Sequence, residues 1–310
     1  MDVDGVFSGG GVRAIAFIGA LKAAERKGIT FKRTAGTSAG AIFAAVVAAG
    51  YKADEIKTLL HEVDIREFLD PRRLSVAFPF MKWLMLYWKL GLYKGKRLEQ
   101  WVEEVLAAKG ISTFGDLPEG SLKIIASDIT NGRLIVLPDD LKRYGILPER
   151  FKIAKAVRMS ASIPYFFDPM KLYDATGKKN IIVDGGVLSN FPIWLFQDGK
   201  TEIKWPTLGF QLKPSQFEQR PNNVKNAISL FHGLFDTMMD AHDARHISEA
   251  HIADIVFIPV KQISMINFNL SSEVIDELTD FGIQSTEKFL RNWRHYRPQT
   301  KLSTKKSSIL

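Results

Sequence analysis

Gly36-Thr37-Ser38-Ala39-Gly40 carries the densest chemistry in this sequence. It follows an extended run, FKRTA, and precedes a helix-forming one, AIFAAVVAA. A serine with glycine two positions away on each side suits a sharp strand-to-helix turn. Such a turn holds the hydroxyl outward in a strained backbone, and the glycines let strand and helix pass closely. Ser38 is therefore a candidate nucleophile. Placed at the start of a helix over 38–49, it would also face free N–H groups and the positive end of the helix dipole. The same pentapeptide serves equally as a plain turn with a serine N-cap, so its partners decide the matter.

Two other stretches have partner chemistry. Ser8-Gly9-Gly10-Gly11 follows a short apolar strand over 2–7 and opens a predicted helix from about Val12 to Lys27. Consecutive glycines can turn their N–H groups to one side and cradle an anion, and Arg13 adds a fixed positive charge in the first turn. Gly9, Gly11 and Ala14 also fit the dinucleotide fingerprint, but the second strand offers Arg33, Thr34 and Ala35 where a ribose-binding acid belongs. The second partner is Asp184-Gly185-Gly186, at the end of the apolar run NIIV. An acid just past a buried strand is a natural general base for a serine on a neighbouring strand, although Asp-Gly is also a common Asx turn.

The elements that must position these groups are a strand, glycine loop, helix, strand, serine elbow and helix in succession. That order makes a right-handed β-α-β unit, which brings both loops to the carboxyl edge of a parallel sheet. The glycine cradle then becomes an oxyanion hole beside Ser38. Residues 51 to 110 read as helices. Within them Phe78, Phe80, Trp83, Tyr87 and Trp88 crowd together, with Lys82, Lys89 and Lys96 at heptad spacing as one polar stripe. This aromatic and basic segment, about 66–97, is expected to be a cap or lid that also touches anionic lipid through Arg72, Arg73, Lys94, Lys96 and Arg97; a core helix or a subunit contact fits it as well. Asn131-Gly132 predicts a hairpin between strands over 122–130 and 133–138, with Asp128 structural. A helix over about 151–161 stops before Pro164, and Phe166 and its neighbours are expected pocket wall, as are Trp83 and Trp88. Strands near 207–212 and 255–260 and helices over 223–249 and 271–293 complete the chain. His242 and His246 share a helix face without the HExxH glutamate, so no metal site is expected there.

With 310 residues and 46% hydrophobic composition, the chain can bury a large core. It shows no fixed-period repeat and no mid-chain linker, so one domain over 1–295 is expected, followed by a basic, frayed tail over 296–310. There is no cysteine, which excludes disulfides, thiolate metal sites and cysteine nucleophiles. A formal net charge of +8 suits an anionic surface as readily as simple solubility. No basic and apolar leader precedes the first strand, which predicts a cytoplasmic protein, peripheral on a membrane at most.

Taken in order, Gly9-Gly10-Gly11-Val12-Arg13, Gly36-Thr37-Ser38-Ala39-Gly40, Ser160-Ala161-Ser162-Ile163-Pro164 and Asp184-Gly185-Gly186 resemble the patatin-like phospholipases over residues 1 to 195. Ala14 stands where that family often has glycine. The resemblance implies an α/β three-layer sandwich with a mostly parallel central sheet and helices on both faces. It further implies a lipid acyl hydrolase of the phospholipase A or lysophospholipase type that uses no cofactor, no metal and no nucleic acid. Ser38 and Asp184 would form a Ser-Asp dyad. Gly9, Gly10 and Gly11, with Arg13 nearby, would make the oxyanion hole, and Gly36, Gly40, Gly185 and Gly186 would shape the elbow and base loop. A Ser-His-Asp esterase using His232, His242, His246 or His251 and a non-catalytic membrane-binding protein on the same scaffold are the competing readings.

Overall fold

The computed structural model describes residues 1–71, 88–196, 205–214, 224, 230, 233–235, 237–239, 252–260 and 263–295. Its centre is an eight-stranded mixed sheet, built mainly from β1 (Asp2–Phe7), β2 (Thr30–Thr37), β4 (Leu122–Asp128), β8 (Lys179–Asp184), β9 (Thr207–Pro214) and β10 (Ile255–Val260). The strand order is β10-β9-β1-β2-β4-β8-β7, where β7 is Met170–Tyr173, and β5 (Arg133–Leu137) pairs with β4 off this path. From β10 to β4 every pairing is parallel, and the β4–β8 and β7–β8 pairings are antiparallel.

α1 (Ala16–Arg26) and α2 (Ala39–Ala48) cover one face, with α3 (Ala53–Glu62), α4 (Lys96–Ala107), α5 (Ile153–Ser160) and α6 (Ser272–Asn292) around them. Phe7, Phe17 and Phe43 meet under this layer with ring centroids 5.5 to 6.3 Å apart. On the other face a helical turn over Ile193–Phe196 packs on Val6, Ala35 and Ile255. The alternation of a strand buried on both sides explains the division: Phe7 faces one layer and Val6 the other. The fold is thus α/β, with helical turns on both faces of a mostly parallel sheet.

The helix expected from Val12 begins as a 3-10 turn over Gly11–Ile15 and becomes α-helical only at Ala16. The expected helix through Lys82, Lys89 and Lys96 is corrected more strongly. Leu90 has φ +62° and Gly95 φ +67°, and between them the chain runs extended as β3 (Gly91–Tyr93), paired in parallel with β6 (Tyr165–Phe167). Lys89 and Lys96 therefore lie on different helical segments, and the stripe is broken. Residues 72–87, which include Trp83, Lys82, Arg72 and Arg73, lie outside the described residues, as do His232, His242, His246, His251 and the tail after 295. Among the described residues no helix is long and apolar enough to cross a membrane.

Candidate active site

Ser38 sits between the end of β2 and the start of α2 with φ +56° and ψ −126°, a conformation strained for a residue with a Cβ. The approach that imposes it is tight. A Cβ on Gly36 would stand 2.2 Å from the Gly40 carbonyl oxygen, and one on Gly40 would stand 2.4 Å from the carbonyl oxygens of Phe7 and Ser8. The glycine loop after β1 therefore rests directly on the elbow.

A second device holds the serine. Its backbone N–H donates to Ser160 Oγ at 2.8 Å, and Ser160 Oγ donates to the Ile125 carbonyl at 2.5 Å. Ser160 ends α5, and two residues later the Ser162 carbonyl accepts the N–H of Asp184 at 2.9 Å. The short turn over 160–162 thus grips Ser38 and Asp184 together. Behind it lies Arg158, 1% exposed. Its guanidinium donates to the carbonyls of Gly95, Lys94 and Asp168 and to Ser162 Oγ, and rests over the Phe167 ring. Burial lowers its pKa to about 10, which leaves it charged at neutral pH.

The sheet register aligns the acid with the serine. Thr37 pairs with Ile125 on one side of β4, and Ala126 pairs with Asp184 on the other. β4 therefore stands between the two strands, where the sequence suggested immediate neighbours. The loops carry Ser38 and Asp184 over its end. Asp184 has no solvent exposure. Its Oδ1 accepts the Gly186 N–H at 2.7 Å, while Oδ2 is buried with no hydrogen-bond partner among the described residues. Loss of water raises its pKa from 3.8 to about 7; the nearby Ser38 hydroxyl and the Gly186 amide oppose that rise and are outweighed. An acid so placed takes or gives a proton near neutrality.

The glycine loop divides its amides. Gly9 donates its N–H to the Asn190 carbonyl at 3.0 Å, so its amide is committed. The amides of Gly10 and Gly11 donate to no described residue, and they open the 3-10 turn beside Ser38. Arg13 donates its Nε to the Ile263 carbonyl at 2.7 Å, anchoring the loop to the segment before α6.

Ser38 and Gly11 lie on the wall of a cavity otherwise lined by carbon, including Ile42, Phe43 and Val46 of α2 and Ile163 and Phe167. The expected pocket wall is corrected here. Phe167, not Phe166, is in the lining, and Phe166 stacks at 5.8 Å on Phe268, which does line the cavity. Pro164 is not part of the lining, and Trp88 is 72% exposed and away from it. Arg158 stands outside the motifs of the sequence, and Ser160 falls within the 160–164 motif without a role of its own. A charged residue inside an apolar run, VRM, was the available signal for Arg158.

The family model described as patatin-like phospholipase matches residues 5–196, which carry the glycine loop, the elbow, the 160–164 turn and Asp184. The chain belongs to this family. It is 52% identical over 295 residues to the uncharacterized protein YqhO of Bacillus subtilis (strain 168), covering 95% of this chain and 100% of YqhO. It is 28% identical over 194 residues to the probable lipid hydrolase 463L of Invertebrate iridescent virus 6, covering 61% of each. Its fold is similar to that of VipD from Legionella pneumophila, with TM-score 0.55 and 18% identity across 94% of this chain and 67% of VipD. The family is one of lipid hydrolases, and the cavity beside Ser38 has an apolar lining.

Proposed function

We propose that this protein hydrolyses lipid carboxylic esters of the phospholipase A or lysophospholipase type through Ser38 and Asp184. The observation that carries the proposal is the buried Oδ2 of Asp184, without a hydrogen-bond partner among the described residues, beside a serine held in strain on the wall of an apolar cavity. Ser38 Oγ attacks the ester carbonyl carbon as its proton passes to Asp184. The C=O electrons move onto oxygen, and the amides of Gly10 and Gly11, aided by the start of the helical turn, stabilise that charge. Collapse breaks the bond to the alcohol, which leaves with the proton from Asp184. Water then gives a proton to Asp184, attacks the acyl-Ser38 carbon and releases the fatty acid as the proton returns to Ser38 Oγ. Arg13 and Gly9 act by holding the loop.

Contact with a membrane surface belongs to the same reading. Trp88, Leu90 and Tyr165 are 72%, 44% and 45% exposed, and the β3–β6 pairing sets Gly91, next to Leu90, beside Tyr165. Large apolar side chains exposed on these neighbouring segments favour an interfacial substrate.

The test is reaction with an alkyl fluorophosphonate followed by peptide mass analysis. Labelling at Ser38 that disappears in Ser38→Ala is expected. Labelling at another serine, or none in detergent and on anionic vesicles alike, would refute the assignment.

A further inference from the structure

The cavity beneath Ser38 has a direction. Its top is marked by Ser38 and Gly11, which share the carboxyl edge of the sheet, and from there it follows α2 along Ala39, Ile42, Phe43 and Val46. That is an i, i+3, i+4, i+7 series, one face of one helix. The rest of the lining includes Ile15 from the 3-10 turn, Ile18 from α1 and Ile56 from α3.

Two hydrogen bonds orient the outer helices. Gly95, at the start of α4, accepts from Arg158 beside the active-site turn, whereas Val105, near its end, accepts from Tyr51 just after α2. α4 therefore descends alongside α2, away from the catalytic edge. α3 begins at the lower end, where the Ala53 N–H meets Glu25 near the end of α1, and it climbs back. Ile18, Val46 and Ile56 consequently converge at the bottom of the slot. All three are buried, at 1%, 2% and 7% exposure, and the small residues beyond them, Ala49 and Ala53, are buried as well.

The rise of α2 gives the slot its depth, and its volume gives its capacity. Seven residues of helix from Ala39 to Val46, at 1.5 Å each, give about 11 Å, the length of an extended alkyl chain of roughly nine or ten carbons. The cavity volume is about 130 Å³. That is roughly ten times the 10–15 Å³ that seats one water-sized group on the same measure.

We infer that this slot takes one unbranched acyl chain of about ten carbons, and that Val46, Ile18 and Ile56 form the floor that limits its length. The inference rests on the ester-hydrolase reading for the acyl ester and on the cavity alone for the length. An acyl group that fits places its carbonyl at Ser38, while a longer one must bend or leave its carbonyl short of the serine.

The test compares kcat/KM for p-nitrophenyl esters of butyrate, octanoate, decanoate, dodecanoate and palmitate in the wild type, Val46→Phe and Val46→Ala. The wild type is expected to prefer decanoate. Val46→Phe should lower the dodecanoate-to-butyrate ratio by about tenfold or more, on the scale of one or two methylenes refused by a fitted pocket. Val46→Ala should move the preference toward dodecanoate. Should Val46→Phe fail to fold, as judged by circular dichroism, Ile56→Phe raises the same floor from α3. An unchanged length profile in the folded variants would overturn the inference. Binding of decanoate and palmitate to Ser38→Ala by calorimetry separates the two claims. Length-selective binding with no hydrolysis of any ester would refute the hydrolase reading and uphold the floor, whereas binding indifferent to length would refute the floor.

Discussion

Asp128 and Asp184 are both wholly buried, on adjacent strands of one sheet, and they are treated in opposite ways. Asp128 accepts from the amides of Thr130 and Asn131 at 3.0 and 3.1 Å, from Asn131 Nδ2 at 2.6 Å and from the Tyr144 hydroxyl at 2.7 Å. Its negative charge also holds the Tyr144 phenol protonated, after burial, which is the larger cause. Asp184 receives one backbone N–H and keeps an oxygen with no described partner. The difference teaches where the two energies go. A carboxylate that receives many donors fastens a hairpin, and one that is denied donors has its pKa raised to about 7, where the proposed general base needs it.

Breaking the pair gives the largest effects. Asp184→Asn should lower kcat for ester hydrolysis by about 10³-fold or more, at the upper end of what a positioned general base contributes, measured under saturating substrate. Asp128→Ala should leave the rate of the folded enzyme within about twofold but lower unfolding free energy in urea by roughly 3 kcal/mol, since several buried donors lose their acceptor.

The stability of Asp184→Asn against pH sharpens the same contrast. A carboxyl whose folded pKa lies above its unfolded value resists ionisation in the native state. Its burial is neutral below about pH 4, increasingly destabilising as pH rises toward 7, and constant above that. With a shift from 3.8 to about 7, the handicap reaches about 4 kcal/mol as an order of magnitude at pH 8. The variant should therefore melt above the wild type at pH 8, with the gap closing by pH 4. A gap independent of pH would mean that burial does not raise the Asp184 pKa.

A smaller effect tests the turn that grips both residues. Ser160→Ala leaves the Ser38 amide without its acceptor, and should reduce kcat about tenfold with KM little changed, and stability by about 1–2 kcal/mol. Equal loss in KM and kcat would point instead to a general loosening of the pocket.

Much of this site was legible in the sequence because its parts are backbone devices with rigid composition. The glycines at 36 and 40 are required by contacts of 2.2 and 2.4 Å, and a requirement that strict leaves a readable pattern. Asn131-Gly132 marked the β4–β5 hairpin, and the structural assignment of Asp128 agrees with its four donors. The pocket wall was not legible. α2 is apolar on nearly every face, so periodicity could not say that Ile42, Phe43 and Val46 look into a cavity. The aromatic residues that drew attention instead, Phe166 and Trp88, went to a ring cluster and to solvent. Helical periodicity also ran across Leu90 and Gly95, where positive φ breaks the helix. Ser160 and Arg158 depend on the chain returning to the elbow from more than a hundred residues away, and only the topology supplies that.

The central claim is that burial tunes Asp184 to serve Ser38, and the pH dependence of Ser38 phosphonylation tests it most directly. The rate constant for fluorophosphonate labelling, followed from pH 5 to 9 in the wild type and in Asp184→Asn, should rise through an inflection near 7 in the former and be slow and without that inflection in the latter. The same inflection in both proteins would contradict the assignment of Asp184 as the base.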